Sequence, residues 1–131
     1  MFESRKLTRW DNKFLLEAIF WSRSSPDQQT QCGCVLVKDK TMLSSGYNGF
    51  IRNVDDDALP KSRPEKYPYM IHAEVNCLAS VKRGECKILA VTLLPCSYCA
   101  TMIAAYQIPR IAYGEVYERD TKALDIFKFY A

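Results

Sequence analysis

The sequence has one histidine, no repeat, no low-complexity tract and no apolar stretch long enough to span a membrane. Its charged N-terminus is not followed by the apolar segment of a secretory signal. The net charge is only +3, and the 18 Lys and Arg residues are interspersed with the 15 Asp and Glu residues. We therefore expect a cytoplasmic protein (in the host cytoplasm if the source is a virus), with neither a membrane nor a nucleic-acid partner.

A disulfide framework is also not expected, although the chain has six cysteines. Two of them form the Cys-x-x-Cys of Cys96 and Cys99, and a reducing compartment suits metal-binding thiolates. A chain of 131 residues can bury a core without covalent cross-links, so we predict a single domain, residues 1–131. The remaining cysteines are then small core residues: Cys32, Cys34, Cys77 and Cys86.

The pattern of apolar residues predicts alternating helices and strands. A helix starts at the capping-box-like pair Thr8 and Asp11 and fades near Ser24. The other elements are strands at 32–37 and 41–47, an irregular segment at 50–68, helices at 71–83 and 97–107, strands at 88–94 and 110–116, and a last helix from about residue 120. This order predicts an α/β fold, a three-layer α/β/α sandwich with a mixed sheet.

The one histidine lies in His72-Ala73-Glu74, and Pro95-Cys96-Ser97-Tyr98-Cys99 follows one strand later. One imidazole and two thiolates give three zinc ligands and leave the fourth tetrahedral position for water, as in catalytic zinc sites. The same order of residues is the pattern of zinc-dependent nucleobase deaminases, in which the glutamate is an acid and base and not a ligand. We therefore predict zinc on His72, Cys96 and Cys99, with Glu74 taking a proton from the zinc-bound water.

Both motifs are predicted at helix N-termini, where backbone N–H groups and the helix dipole favour thiolates. We expect the strand before Pro95 to lie beside, and parallel to, any strand that leads into the helix of His72. Alone, a Cys-x-x-Cys also fits a redox pair, half of a structural zinc site or coincidence, and a lone His-x-Glu means little. A structural zinc site would need a fourth ligand from the other cysteines or from a carboxylate.

Four further segments carry a family resemblance: Gly46-Tyr47-Asn48-Gly49, Lys66-Tyr67-Pro68-Tyr69 leading into His72, Leu94 to Ala100, and Tyr113-Gly114-Glu115-Val116-Tyr117. With these segments, the chain from residue 23 to the last helix resembles the deoxycytidylate (dCMP) deaminases of the cytidine deaminase-like superfamily. The zinc motif fits any member of the superfamily. The Gly-Tyr-Asn-Gly turn with the acidic insertion after it narrows the resemblance to the deoxycytidylate type.

The resemblance implies hydrolysis of dCMP to dUMP and ammonia in pyrimidine nucleotide metabolism, with one Zn²⁺ per chain and Glu74 as proton shuttle. It places Asn48 near the sugar 3′-hydroxyl and the backbone of Ala73 at the pyrimidine edge. It also implies a phosphate side formed by Arg23, Ser24, Ser25 and Tyr117. These residues have structural interpretations too, since Arg23 and the serines can end a helix and Asn48 can supply a turn.

The resemblance further implies a homo-oligomer, and in relatives dCTP and dTTP act as effectors near the Gly-Tyr-Asn-Gly turn. Relatives usually continue beyond the last helix, so we expect a shortened C-terminus and an exposed sheet edge at 110–116. Two other functions stay open. A deaminase of the tRNA adenosine type would share the zinc site but needs a basic surface, and a non-catalytic zinc module would have no use for Glu74.

Overall fold

The computed structural model describes residues 6–51, 53–115 and 121–129. Its elements follow the predicted order, with two short strands added after the hairpin. In chain order they are α1 (Arg9–Ser22), β1 (Gly33–Lys38), β2 (Thr41–Tyr47), β3 (Gly49–Phe50), β4 (Met70–Ile71), α2 (Ala73–Leu78), β5 (Ile88–Leu93), α3 (Ser97–Ala105), β6 (Arg110–Glu115) and α4 (Lys122–Phe129). Single turns of 3₁₀ helix at Asp56–Ala58 and Tyr67–Tyr69 interrupt the irregular segment.

The central sheet has four strands in the order β2-β1-β5-β6. β1 is antiparallel to both β2 and β5, whereas β5 and β6 are parallel, so the prediction of a mixed sheet is confirmed. β6 is the last strand in this order, at one edge of the described sheet. The expected strand pairing before the histidine is wrong, because β4 pairs with β3 in a separate two-stranded sheet. Both neighbours of β5 are already β1 and β6, which leaves no position for β4 beside it.

Helices cover both faces of this sheet, as the alternation of side chains along β1 shows. Cys34 and Leu36 pack on one face with residues of α2, α3 and α4. Val35 and Val37 pack on the other face with Phe14 and other residues of α1. Because successive side chains of a strand point to opposite faces, one short strand supports both cores. The three-layer α/β/α prediction is therefore confirmed.

The helix α1 begins and packs as its sequence predicts. The Thr8 hydroxyl accepts from the Asp11 N–H at 3.2 Å, and the Asp11 carboxylate accepts from the Thr8 N–H at 2.7 Å, which completes a capping box. The helix lies very close to β1 at Gly33, where a Cβ atom would stand 1.9 Å from the carbonyl oxygen of Ala18. Glycine is therefore needed at this position for α1 to approach the sheet.

The helix predicted at 71–83 is shorter than expected, because α2 ends at Leu78 and the next residues form turns. The Val81 N–H donates to the Leu78 carbonyl at 3.2 Å, as in a turn. Gly84 has a φ of +80°, and its N–H donates at 2.9 Å to the carbonyl of Tyr106 at the end of α3. This contact draws the segment toward α3 and prevents a longer α2.

The cysteines outside the predicted metal site are core residues, as the sequence suggested. All six cysteines of the chain are free thiols. The four in question are buried, namely Cys32, Cys34, Cys77 and Cys86. None of the helices in the described part of the chain combines the length and the apolar character that a membrane span requires.

Candidate active site

The predicted metal ligands meet where two helices begin. His72 is the N-cap residue of α2, and Cys96 is the N-cap residue of α3. Both have extended backbone, with ψ angles of 151° and 169°, so each incoming segment turns into its helix at the ligand itself. Cys99 follows in the first turn of α3, where the Cys-x-x-Cys spacing returns its sulfur to the same side as Cys96.

The three donor atoms have the spacing that zinc requires. The Nδ1 atom of His72 lies 3.5 Å from the sulfur of Cys96 and 3.4 Å from that of Cys99. Zn–N and Zn–S bonds of about 2.05 and 2.3 Å at the tetrahedral angle would set these atoms about 3.6 Å apart. Among the described residues these three donors form the one such group, all within 4.8 Å of one another. The donor set therefore fits zinc with an open position and does not provide the closed ligand set of a structural site.

The electrostatics of the group favour a thiolate at Cys96. Its hydrogen bond with Cys99, together with that of His72, lowers the pKa of Cys96 to about 4. The hydrogen bond with Cys96, together with burial, raises the pKa of Cys99, and the bond to Cys96 raises the pKa of the His72 imidazole. In contrast, burial raises the pKa of the nearby Cys32 to about 12, so that residue stays a neutral thiol. Ionisation thus distinguishes Cys96 from the core cysteine Cys32.

Glu74 lies in the first turn of α2, two residues after His72, and is only 4% exposed. Burial raises the pKa of its carboxyl group to about 7. A carboxyl group with such a pKa exchanges protons readily near neutral pH, which is what a general acid and base requires. Glu74 is not a member of the group of three possible metal donors, and its role as acid and base stays a prediction.

A cavity of about 550 Å³ opens over this group and is large enough for a small organic ligand. Five predicted site residues line it, and they come from separate parts of the chain: Asn48, His72, Ala73, Glu74 and Cys96. Ala73 is the first residue of α2, so its N–H has no acceptor within the helix. Ala73 and Glu74 thus line the cavity as neighbours at the start of α2.

Asn48 lines the cavity, but most of its side chain serves the fold. Its carbonyl oxygen accepts from the Cys32 N–H at 2.8 Å. Its amide nitrogen donates to the Thr30 carbonyl at 2.8 Å and to the Asp27 carboxylate at 3.4 Å. A ligand hydroxyl could still donate to the second lone pair of the Asn48 oxygen.

The structure does not bring Arg23, Ser24 or Ser25, which were predicted for the phosphate, into this cavity. Arg23 is exposed at the C-cap of α1, and Ser24 lines a second cavity of about 340 Å³. Ser25 is buried, with its hydroxyl donating at 2.6 Å to the Asn48 carbonyl and accepting at 3.2 Å from the Asp27 N–H. Tyr117 lies outside the described residues.

Sequence reasoning missed charged or hydroxyl residues that line the main cavity, among them Asp27, Thr30, Arg63, Lys66 and Glu115. Lys66 belongs to the Lys-Tyr-Pro-Tyr segment that carried the family resemblance, which is the one signal that could have drawn attention to it. Arg63 lies in the irregular segment, where no periodicity or motif indicates its surroundings. Its position in the cavity depends on the path of that segment.

Comparison with known proteins shows a family match over most of the chain. The model of the cytidine and deoxycytidylate deaminase zinc-binding region matches residues 8–115. The chain is 39% identical over 111 residues to a probable deoxycytidylate deaminase of Caenorhabditis elegans, covering 79% of this chain and 56% of that protein. It is 30% identical over 113 residues to the deoxycytidylate deaminase of Homo sapiens, covering 79% and 64%. The chain thus spans little more than half the length of these relatives.

A solved structure shares the fold over nearly the whole chain. The dCMP deaminase of the cyanophage S-TIM5, in complex with dCMP and dUMP, superposes with a TM-score of 0.77 at 22% identity. The match covers 96% of this chain and 95% of the phage chain. The cytidine deaminase-like fold predicted from the sequence is therefore confirmed.

Proposed function

The chain belongs to the zinc-binding cytidine and deoxycytidylate deaminase family, and on that premise we propose that it hydrolyses dCMP to dUMP and ammonia. The proposal rests chiefly on one observation. His72, Cys96 and Cys99 form a donor set with zinc spacing, and two of these residues, His72 and Cys96, line one cavity with the buried Glu74. The deoxycytidylate deaminases among the relatives, and the dCMP and dUMP bound by the phage protein, support this choice of substrate.

His72, Cys96 and Cys99 would hold one zinc ion per chain. When bound, the zinc would supply a water molecule of lowered pKa as the nucleophile. Glu74 accepts a proton from the attacking water and delivers it to the ring nitrogen next to the attacked carbon. It then carries a proton to the departing amino group, so that water and dCMP give dUMP and ammonia. The burial of Glu74 suits both steps, because its carboxyl group can hold or release a proton near neutral pH.

Further residues are proposed to contact the substrate. Ala73 would donate its free N–H to the pyrimidine edge, and Asn48 would accept from the 3′-hydroxyl. Arg23, Ser24, Ser25 and Tyr117 stay predictions for the phosphate.

We further propose that residues 1–131 act as one deaminase domain, in a homo-oligomer of the cytoplasm, and that dCTP and dTTP are candidate effectors. The second cavity is lined by Gly46, Tyr47 and Gly49 of the Gly-Tyr-Asn-Gly turn, and this lining supports an effector site in that cavity.

A deaminase of the tRNA adenosine type would have the same zinc ligands. The dispersed charge of this chain, at a net +3, favours the small substrate. A non-catalytic zinc module is disfavoured by the buried Glu74, because burying a carboxyl group costs stability and such a module gains nothing from that residue in return.

Zinc-loaded protein offered dCMP, deoxycytidine, dCTP and a tRNA substrate in parallel tests the proposal, with ammonia release as the readout. We expect dCMP to have the highest kcat/KM. Turnover of the tRNA without turnover of dCMP would show that the protein is a nucleic-acid deaminase. Turnover of none of the four, by protein with one bound zinc, would favour the non-catalytic module.

A further inference from the structure

Two basic side chains line the main cavity together with the metal ligands, and they differ in what balances their charge. Lys66 is 2% exposed, and its ammonium group donates to both oxygens of the Asp27 carboxylate at 2.9 and 2.8 Å. Its charge is therefore neutralised within the protein. Arg63 is half-buried, and no carboxylate of the described residues forms an ion pair with it.

Arg63 is nevertheless fixed in place. Its Nη2 atom donates to the Thr30 hydroxyl at 2.6 Å, and its backbone N–H donates to the side-chain carbonyl of Gln29 at 3.1 Å. The Thr30 N–H in turn donates to Asp27 at 3.1 Å. A guanidinium group has five N–H donors, so one bond to a neutral hydroxyl leaves most of them for a ligand. The result is an oriented cation in the wall of the cavity.

We infer that Arg63 and the Thr30 hydroxyl bind the 5′-phosphate of the substrate and so select a nucleoside monophosphate over the nucleoside. The planar fork of arginine matches two phosphate oxygens, and the Thr30 hydroxyl, which accepts from Arg63, can donate its own proton to a third. This inference rests on the proposed function for the identity of the nucleotide. It assigns the phosphate to a side chain of the irregular segment rather than to the end of α1.

The other charges of the cavity agree with this position. Asp27 would repel a phosphate, but Lys66 compensates its charge. Glu115 also lines the cavity, and its backbone carbonyl accepts from the Leu94 N–H at 2.7 Å, which places it next to the segment of the cysteine ligands. The positive charge of Arg63 is uncompensated and would attract the phosphate. The negative charge of Glu115 belongs to the part of the cavity near the metal ligands, where the neutral base would lie.

Calorimetric binding of dUMP and of deoxyuridine to the zinc-loaded protein tests the inference, because these product-like ligands differ only in the phosphate. The variants are Arg63→Ala, the charge-retaining Arg63→Lys, the competing candidate Arg23→Ala, and the exposed control Arg83→Ala. Arg63→Ala should weaken dUMP binding about 10- to 100-fold and leave deoxyuridine binding within about twofold. Arg63→Lys should show a smaller loss, and Arg83→Ala none.

Equal losses for both ligands in Arg63→Ala would overturn the inference, as would loss of the dUMP preference in Arg23→Ala alone. If Arg63→Ala does not fold, Arg63→Lys decides, because unchanged dUMP binding there contradicts a bidentate contact. The proposed function can fail separately. A wild-type protein that binds dUMP through Arg63 but never deaminates dCMP would refute the activity and leave the phosphate site standing.

Discussion

The buried ion pair of Asp27 and Lys66 should be among the most sensitive points of the fold. It joins the irregular segment to the loop that follows α1. The carboxylate accepts two bonds from Lys66, and bonds from the N–H groups of Gln29 and Thr30 at 2.7 and 3.1 Å. Asp27→Asn keeps the shape and an acceptor for the N–H groups, but it leaves the Lys66 ammonium buried without a counter-charge. Breaking a buried pair in this way costs about 3 to 5 kcal/mol.

That loss compares with a total stability of about 5 to 15 kcal/mol for an ordinary domain. For a domain of this size it lowers Tm by roughly 10 to 20 °C. Replacing both partners, in the double variant Asp27→Asn, Lys66→Met, should recover part of the loss, since no charge is then left unpaired. The two single variants and the double variant form a cycle whose interaction energy isolates the pair.

Urea unfolding followed by circular dichroism gives the free energy of unfolding for each variant. Asp11→Asn provides a matched control, because Asp11 pairs with Arg110 in the core away from the cavity. Both substitutions should destabilise the protein. Only Asp27→Asn should also raise the KM for dCMP at temperatures where the variant is still folded, because the loss of the Asp27 carboxylate displaces Thr30 and Asn48 in the cavity wall. A loss under about 1 kcal/mol for Asp27→Asn, without coupling in the cycle, would refute the reasoning.

The pH dependence of stability has a defined sign for the same group. Burial alone would raise the pKa of Asp27, but the hydrogen bonds from Lys66 and from two backbone N–H groups bring it below its ordinary value. A lowered folded-state pKa means that the stabilisation is fully present above the unfolded-state pKa of about 3.9. It is lost as the pH falls through the folded-state value.

Three further outcomes follow from the site and the fold. Glu74→Gln should keep its zinc, measured by mass spectrometry, and lose about 10²- to 10⁴-fold in kcat; retained turnover would remove Glu74 from proton transfer. Cys99→Ser should lower the zinc content per chain while near-ultraviolet circular dichroism shows that the core persists, and undiminished zinc would exclude Cys99 as a ligand. Thr8→Ala should cost about 1 kcal/mol in urea unfolding by removing the capping box of α1, and an unchanged midpoint would contradict that role.

The parts of the fold that depend on local patterns were predictable from the sequence. The capping box at Thr8, the hairpin around the turn at Asp39 and the buried strand β5 each follow from neighbouring residues. The end of α2 was not predictable, because it depends on a contact between Gly84 and the carbonyl of Tyr106. The pairing of β4 with β3 likewise depends on which strand edges are already occupied.

The residues of the candidate site also divide into those that local sequence patterns predict and those that depend on distant contacts. The group of His72, Cys96 and Cys99 was predictable, because zinc requires particular residue types at fixed spacings, and those spacings are local to two helix starts. Arg63 was not found, because its place in the cavity comes from bonds to Gln29 and Thr30, more than thirty residues earlier in the chain. The family resemblance instead implied Arg23, which lies at the end of α1 and outside the main cavity.

The central claim is that one zinc ion on His72, Cys96 and Cys99 supports dCMP deamination. It is tested most directly by stripping the metal with a chelator and titrating zinc back while dUMP formation is measured. The account predicts that activity is absent from the apoprotein, rises linearly with added zinc and reaches a plateau at one zinc per chain. Full dUMP formation by the metal-free protein, or no dUMP at any zinc content, would contradict it.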